Sequence, residues 1–392
     1  MNRQLKIARI STVPFFLDYQ LKQQINDLLD YGFDVTAISS PDGDWSGLKN
    51  VEGLKCIPLD IARQPAPLKD LVSLYRLYCF FKTYKFDVVH STTPKAGLLC
   101  AIAARIAGVS VRIHTFTGQT WATKTGLSKI FLCFMDKCIV WLNVQCYADS
   151  ESQRDYLNSF GVGNNRSIKV LGKGSLAGVY LKRFNPDKWN AYKQTLLNDL
   201  GLLSNDFVIV FVGRLSREKG VFELIEAVNQ LKQIHNNLQL ILIGRCEELE
   251  LEQYLKQCAG LNYIKYIGET STPEKYLSIS NLLCLPSYRE GFGTVVIEAA
   301  AMSVPTVGTK ITGLVDAIED GVTGLLVEPD NVSELKAGLN TLIINREMVI
   351  EMGKQASVRC RMFFDSEKIS ELMVSEYLFL ADEEKGNGNG NG

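Results

Sequence analysis

The chain has 392 residues, 46% hydrophobic and 22% charged. That exceeds what one hydrophobic core ordinarily supports, and the composition excludes a disordered polymer, so two globular domains are expected. The net charge of −1 hides an asymmetry: residues 1–184 carry 23 Lys+Arg against 14 Asp+Glu, and residues 185–392 carry 19 against 29. The basic first half suits an anionic partner, such as a membrane surface, a pyrophosphate-bearing molecule or nucleic acid.

The start of the chain passes directly into Leu5-Lys6-Ile7-Ala8-Arg9-Ile10, which alternates as a strand does and reads as no signal peptide. Predicted strands in the first half are 6–11, 34–39, 87–91, 111–115, 144–148 and 168–171. Between them lie helical stretches 19–31, 68–84, 96–107, 128–139 and 152–160. The apolar run from Ile130 to Tyr147 contains Asp136 and Lys137 and reads as a helix followed by a strand. No uncharged run reaches the ~18 residues of a membrane span, so the chain is expected in the cytoplasm. The ten cysteines form no CxxC pair and sit mostly in apolar runs. They read as small buried hydrophobes in a reducing compartment.

Residues 172–204 break the rhythm with Gly172, Gly174, Gly178 and Pro186, and the alternation restarts near 205. Strands are then predicted at 207–212, 239–243, 264–267, 282–285, 306–308 and 324–327. Apolar strands alternating with amphipathic helices imply parallel sheets covered on both faces, here as two doubly wound, Rossmann-like α/β domains facing across a cleft. The expected divisions are 1–180, 181–365, a helix at 366–384 that returns to the first domain, and a disordered Gly/Asn tail at 385–392.

In such sheets ligands bind beyond the carboxyl ends of the strands. Two loops there carry chemistry. Strand 207–212 ends in Gly213-Arg214-Leu215-Ser216-Arg217-Glu218-Lys219-Gly220. Arg214 can fork onto a phosphate while Lys219 supplies a mobile charge. The alternative for these two is a pair of solvated cations. Strand 282–285 ends in Pro286-Ser287-Tyr288-Arg289-Glu290-Gly291-Phe292-Gly293-Thr294, and a helix follows. Gly291 and Gly293 allow close backbone approach, and a helix start at Thr294 suits a pyrophosphate. Glu298, one turn on, suits a ribose diol, and Glu290 can accept from sugar hydroxyls.

Glu290 and Glu298, seven residues between them, resemble the donor motif of the retaining GT-B glycosyltransferases of family 4. The resemblance covers nearly the whole chain. Gly213-Arg214-Leu215 with Lys219-Gly220 is similar to that family's phosphate-clamping loop. Residues 91–97 and 113–118 resemble acceptor-domain segments of members that extend bacterial surface polysaccharides on a lipid carrier. The resemblance implies transfer of a hexose or N-acetylhexosamine from a nucleotide diphosphate, taken as UDP, to a hydroxyl of a saccharide on a polyprenyl pyrophosphate. This would serve capsule, O-antigen or exopolysaccharide synthesis, without a metal or other cofactor and without nucleic acid. Arg214 and Lys219 would hold the diphosphate and stabilise the leaving charge. Glu290 and the Gly291–Phe292–Gly293–Thr294 backbone would hold the sugar and distal phosphate. Glu298 would take the ribose.

His114 ends a predicted strand, and the resemblance implies contact with the transferred sugar; the alternative is a satisfied structural histidine. Ser11-Thr12-Val13-Pro14-Phe15-Phe16 replaces the Gly-Gly turn of many family members, which gives this loop an apolar wall. Helix 67–85 interleaves Leu68, Leu71, Leu74, Tyr75 and Tyr78 with Lys69, Arg76, Lys82 and Lys85. That pattern fits either peripheral docking on the inner face of the plasma membrane or an ordinary amphipathic helix. Two other function classes compete. A sugar-nucleotide epimerase needs acid/base side chains around the sugar, and the chain has three histidines and no first-domain carboxylate cluster. A non-catalytic nucleotide-sugar-binding module predicts a damaged donor site, whereas all four of Arg214, Lys219, Glu290 and Glu298 are present.

Overall fold

The computed structural model describes residues 4–62, 66–164, 167–258 and 262–388. The chain forms two compact units, one running to Gly178 and resuming at Ser366, the other Val179–Asp365.

The first unit has strands β1 (Lys6–Ile10), β2 (Asp34–Ser39), β3 (Lys55–Pro58), β4 (Val88–Ser91), β5 (Val111–Phe116), β6 (Gln145–Ala148) and β7 (Ile168–Val170). Its helices are α1 (Pro14–Phe16), α2 (Lys22–Asp30), α3 (Ser46–Lys49), α4 (Pro67–Tyr84), α5 (Pro94–Ala107), α6 (Gly126–Leu142) and α7 (Glu151–Ser159). The sheet order is β3-β2-β1-β4-β5-β6-β7, with every pair parallel. Right-handed crossovers that step the same way along the sheet leave α4, α5, α6 and α7 on one face and α2 and α3 on the other. The cores agree: Leu77, Phe81 and Ala103 of α4 and α5 pack with Ile10 and Val89, while Ile25 and Leu28 of α2 pack with Ile7 and Val35.

The second unit has β8 (Phe207–Val212), β9 (Leu238–Ile243), β10 (Ile264–Gly268), β11 (Leu282–Leu285), β12 (Thr306–Thr309) and β13 (Gly324–Val327), ordered β10-β9-β8-β11-β12-β13 and parallel throughout. Its helices are α8 (Lys193–Asp199), α9 (Val221–Lys232), α10 (Leu249–Cys258), α11 (Pro273–Leu277), α12 (Thr294–Ala301), α13 (Leu314–Ala317), α14 (Val332–Ile344) and α15 (Arg346–Phe363). β8 reads Phe-Val-Ile-Val-Phe-Val and is buried over its first five residues. A strand covered on both faces needs such an unbroken apolar run. β8 and β11 are neighbours although they are not consecutive, so the loops after them emerge side by side.

The last helix, α16 (Ser366–Gly388), packs on α2. Its Tyr377 is fully buried, its hydroxyl 2.6 Å from both Arg9 and His90, and its Ser370 hydroxyl donates to Asp27 at 2.5 Å. Three sequence expectations need correction. β3 was not predicted, because an edge strand with exposed ends at Lys55 and Pro58 carries no continuous apolar run. The helix predicted at 19–31 starts earlier, with a wide turn at Leu17–Leu21 before α2. α16 continues to Gly388 and so takes in the first residues of the expected tail, since each added helical residue brings its own hydrogen bond; Asn389–Gly392 lie outside the described residues.

Candidate active site

The predicted donor-site loops come together at the carboxyl ends of β8 and β11. The β8 loop closes with one 3-10 turn, Arg217–Lys219, and then Gly220 at φ +67° starts α9. A methyl group on Gly220 would sit 2.0 Å from the Pro286 carbonyl oxygen. Only glycine therefore lets the two loops touch. The Tyr288 amide also donates to the Glu218 carbonyl at 2.9 Å, which fastens one loop to the other.

This contact brings Lys219 onto Glu290. The ammonium donates to Glu290 Oε1 at 2.5 Å, and the Ser287 hydroxyl donates to the same oxygen at 2.8 Å. Both charged side chains are mostly enclosed, with 16% and 13% of their surface exposed. Arg214 is more open and lies between Glu247, 2.5 Å from its NH1, and Glu218, 3.3 Å from its NH2. Arg289 Nε donates to the other Glu218 oxygen at 2.6 Å. Burial raises the Glu218 pKa, but Arg289, Arg214 and Lys219 outweigh it and hold the carboxyl below its ordinary range. The loops thus carry two sets of paired charge, Lys219 with Glu290, and Arg289 and Arg214 sharing Glu218 with Arg214 also on Glu247. Glu218, Glu247 and Arg289 were not singled out from the sequence. The i, i+4 spacing of Arg214 and Glu218 is the one signal that could have found a member of the set.

Gly293, at φ +86°, is the N-cap of α12, and a methyl there would stand 2.6 Å from Leu314. The turn therefore brings backbone rather than side chain to the helix start. Glu298 is nearly buried on α12. The contact expected of Phe292 is through its backbone, and its side chain is a core residue. It is buried and packs edge-on against Phe364 with ring centroids 5.2 Å apart, so only its backbone faces the loop. Tyr288 Oη lies 2.7 Å from Glu223 and 3.0 Å from Asp330; burial, with these two carboxylates, raises its pKa.

His114 lies within the strand the sequence predicted. β5 runs on to Phe116, one residue past the predicted strand, and His114 lies opposite Ser91, the last residue of β4, and Cys146 of β6. The ring is fully buried, with Nδ1 2.9 Å from the Ser91 hydroxyl and Phe116 edge-on at 4.7 Å. A methyl on Gly97 would come within 2.5 Å of it. Burial pushes its pKa down to about 3, so the ring is neutral and cannot serve as an acid near pH 7. His90 is likewise buried and held neutral by burial and by Arg9, with Nε2 2.8 Å from the Thr115 hydroxyl.

At the first-strand loop, Phe15 is 68% exposed and stacks on Tyr19, while Phe16 packs against the core. The Thr12 amide donates to the Thr93 hydroxyl oxygen at 3.0 Å. Along α4, Leu68, Leu71 and Tyr75 are exposed, Leu74 and Tyr78 half-buried. Among the described residues no group of three or more His, Cys, Asp or Glu is placed to hold a metal ion, and no helix is long and apolar enough to cross a membrane. The nine cysteines whose side chains are described are free.

Comparisons with known proteins give the chain's family and fold. The family profile "Glycosyl transferases group 1" matches residues 193–359, and "Glycosyl transferase 4-like" matches residues 12–142. The capsular polysaccharide biosynthesis glycosyltransferase CapM of Staphylococcus aureus is 31% identical over 371 residues, 93% of this chain and 95% of that protein. The UDP-Gal:alpha-D-GlcNAc-diphosphoundecaprenol alpha-1,3-galactosyltransferase of Escherichia coli is 26% identical over 360 residues, 87% of this chain and 88% of the relative. Among solved structures, Anabaena HepE in complex with UDP and glucose superposes with a TM-score of 0.77 at 21% identity, covering 96% of this chain and 99% of that one. The fold is GT-B, and the chain belongs to the glycosyl transferases group 1 family.

Proposed function

We propose that the enzyme takes a hexose or N-acetylhexosamine from a UDP-sugar and places it, with retention at the anomeric carbon, on a hydroxyl of a polyprenyl-pyrophosphate-linked saccharide during assembly of a bacterial surface polysaccharide. The observation that carries the reading is the enclosed Lys219–Glu290 pair at the joined ends of β8 and β11. A cation and a carboxylate side by side match the two ends of a sugar diphosphate. UDP in the HepE complex and the undecaprenyl-linked substrate in the E. coli relative's name support the choice of donor and acceptor.

In this reading the diphosphate draws Lys219 from Glu290 and Arg214 from Glu247. The diphosphate oxygens then lie among two cations and the start of α12, so no divalent metal is required. Glu290, released, accepts from hydroxyls of the transferred sugar, and Glu298 accepts from the ribose. The Gly213 turn sets Arg214, and the backbone of Gly291 to Thr294 lies along the distal phosphate. The acceptor oxygen bonds to the anomeric carbon as the bond from that carbon to the β-phosphate oxygen breaks on the same face. The acceptor proton passes to the departing phosphate. His114 has no part as an acid; it serves as a neutral ring behind the strand ends. The carrier lipid places the first unit at the inner face of the plasma membrane.

The test is binding of UDP, GDP and ADP in EDTA by wild type and Lys219→Ala. One nucleotide, UDP, is expected to bind and the variant to lose it. Binding by Lys219→Ala equal to wild type would overturn the donor-site assignment.

A further inference from the structure

α6 carries apolar residues on both its inner and its outer side. Its inner side buries Cys133, Ile139 and Leu142. Its outer side presents Leu127, Ile130, Phe131, Phe134 and Trp141, each between 56% and 84% exposed. At 100° per residue these five fall within an arc of roughly 100°, so they form one stripe along the helix. α4 repeats the device, with Leu68, Leu71, Val72 and Tyr75 between 49% and 81% exposed at the same i, i+3, i+4, i+7 spacing. α5 lies between them, in contact with both, and the crossovers set all three on one face of the sheet. Monomeric proteins rarely leave so much apolar surface in one layer unless it is covered in use.

The charge around this surface selects what covers it. Residues 66–142 contain ten Lys or Arg and three Asp or Glu. All three acids are engaged internally. Asp70 pairs with Lys95 at 2.6 Å, Asp87 accepts from the Lys6 amide at 2.9 Å, and buried Asp136 accepts from the Trp121 indole at 2.7 Å. The cations stay outside: Lys69, Arg76 and Lys82 on α4, Lys137 on α6, and Arg105, whose guanidinium lies 4.9 Å above the exposed Trp141 ring. An isologous contact with a second copy would bring these cations against each other. An anionic bilayer would instead take the apolar stripes into its headgroup boundary and the cations onto its phosphates.

We propose that the outer stripe of α6, with α4 beside it, is the surface by which this enzyme docks on an anionic lipid bilayer. The inference deepens the membrane-side reading above by naming the element that enters the lipid. It is tested by flotation of the full chain with vesicles of phosphatidylglycerol and phosphatidylethanolamine, and with phosphatidylcholine vesicles, in the absence of donor and acceptor. Wild type floats with the first kind and not the second, and its tryptophan emission shifts to the blue, a shift lost in Trp141→Phe. Phe131→Ser/Phe134→Ser, which alters only exposed side chains and should melt with wild type, lowers the bound fraction by about tenfold or more. Wild type that stays with the soluble fraction overturns the proposal, as does a double variant that floats like wild type. Dissociation of a dimer by the same variant, without vesicle binding, would assign the stripe to self-association and overturn it as well. Because flotation is read without nucleotide or transfer, its failure leaves the donor-site reading standing, and loss of UDP binding leaves the docking surface standing.

Discussion

Replacing Glu290 with Gln separates its two proposed roles, holding Lys219 in the empty site and receiving the sugar in the filled one. A charge-assisted hydrogen bond such as the 2.5 Å contact from Lys219 to Glu290 contributes about 1.5–3 kcal/mol. Any phosphate that recruits Lys219 must first break it. In Glu290→Gln the amide keeps the Ser287 contact but loses the charge, so part of that energy returns to phosphate binding. UDP should bind as tightly as to wild type or up to about tenfold tighter, the equivalent of about 1.4 kcal/mol. Turnover with the sugar nucleotide should nonetheless fall by about 10²–10³ through loss of an interaction made at the reacting sugar. Lys219→Ala should weaken UDP by about 10- to 100-fold. Calorimetric titration with UDP and initial rates on both variants read these values. The reasoning is refuted if Glu290→Gln loses UDP as severely as Lys219→Ala, since the carboxylate would then support the nucleotide directly.

Two further predictions concern stability. Asp149, at the end of β6, is fully enclosed, and burial raises its pKa from 3.8 to about 8. The folded chain therefore holds a proton there that the unfolded chain releases, so this site's contribution is present below about pH 4 and lost as pH rises to about 8. Asp149→Asn should be about as stable as wild type at pH 4 and exceed it by about 5 kcal/mol at pH 8; a difference independent of pH, read by chemical denaturation, would contradict the burial argument. Gly220→Ala combines a left-handed φ of +67° with a methyl 2.0 Å from the Pro286 carbonyl. It should destabilise the second unit by about 2 kcal/mol or more and weaken UDP binding, and a wild-type melt and affinity would show that the two loops need not touch.

The alternation of apolar strands with amphipathic helices was enough to give two parallel α/β sheets, because a strand covered on both faces must be apolar along its length, as Phe207–Val212 is. The loop with Arg214 and Lys219 and the loop with Glu290 and Glu298 were legible for a related reason: glycines and charged groups directly after buried strands have few structural uses. What the sequence could not carry was pairing across the fold. That Lys219 meets Glu290, and that Glu218 takes both Arg214 and Arg289, depends on β8 lying beside β11 with 69 residues between their facing ends. His114 shows the same limit. Its type and its place near a strand end suggested a reacting side chain, but Ser91, Phe116 and Gly97 close around the ring, and burial keeps it neutral. The outer stripe of α6 was hidden for the opposite reason. A helix with apolar residues on opposite sides reads as a buried one, and only the packing of its neighbours, α5 among them, decides which of those residues are left outside. Local pattern is set by the solvent each residue must avoid and is written along the chain, whereas charge pairing and exposure are set by neighbours that only the folded chain brings near.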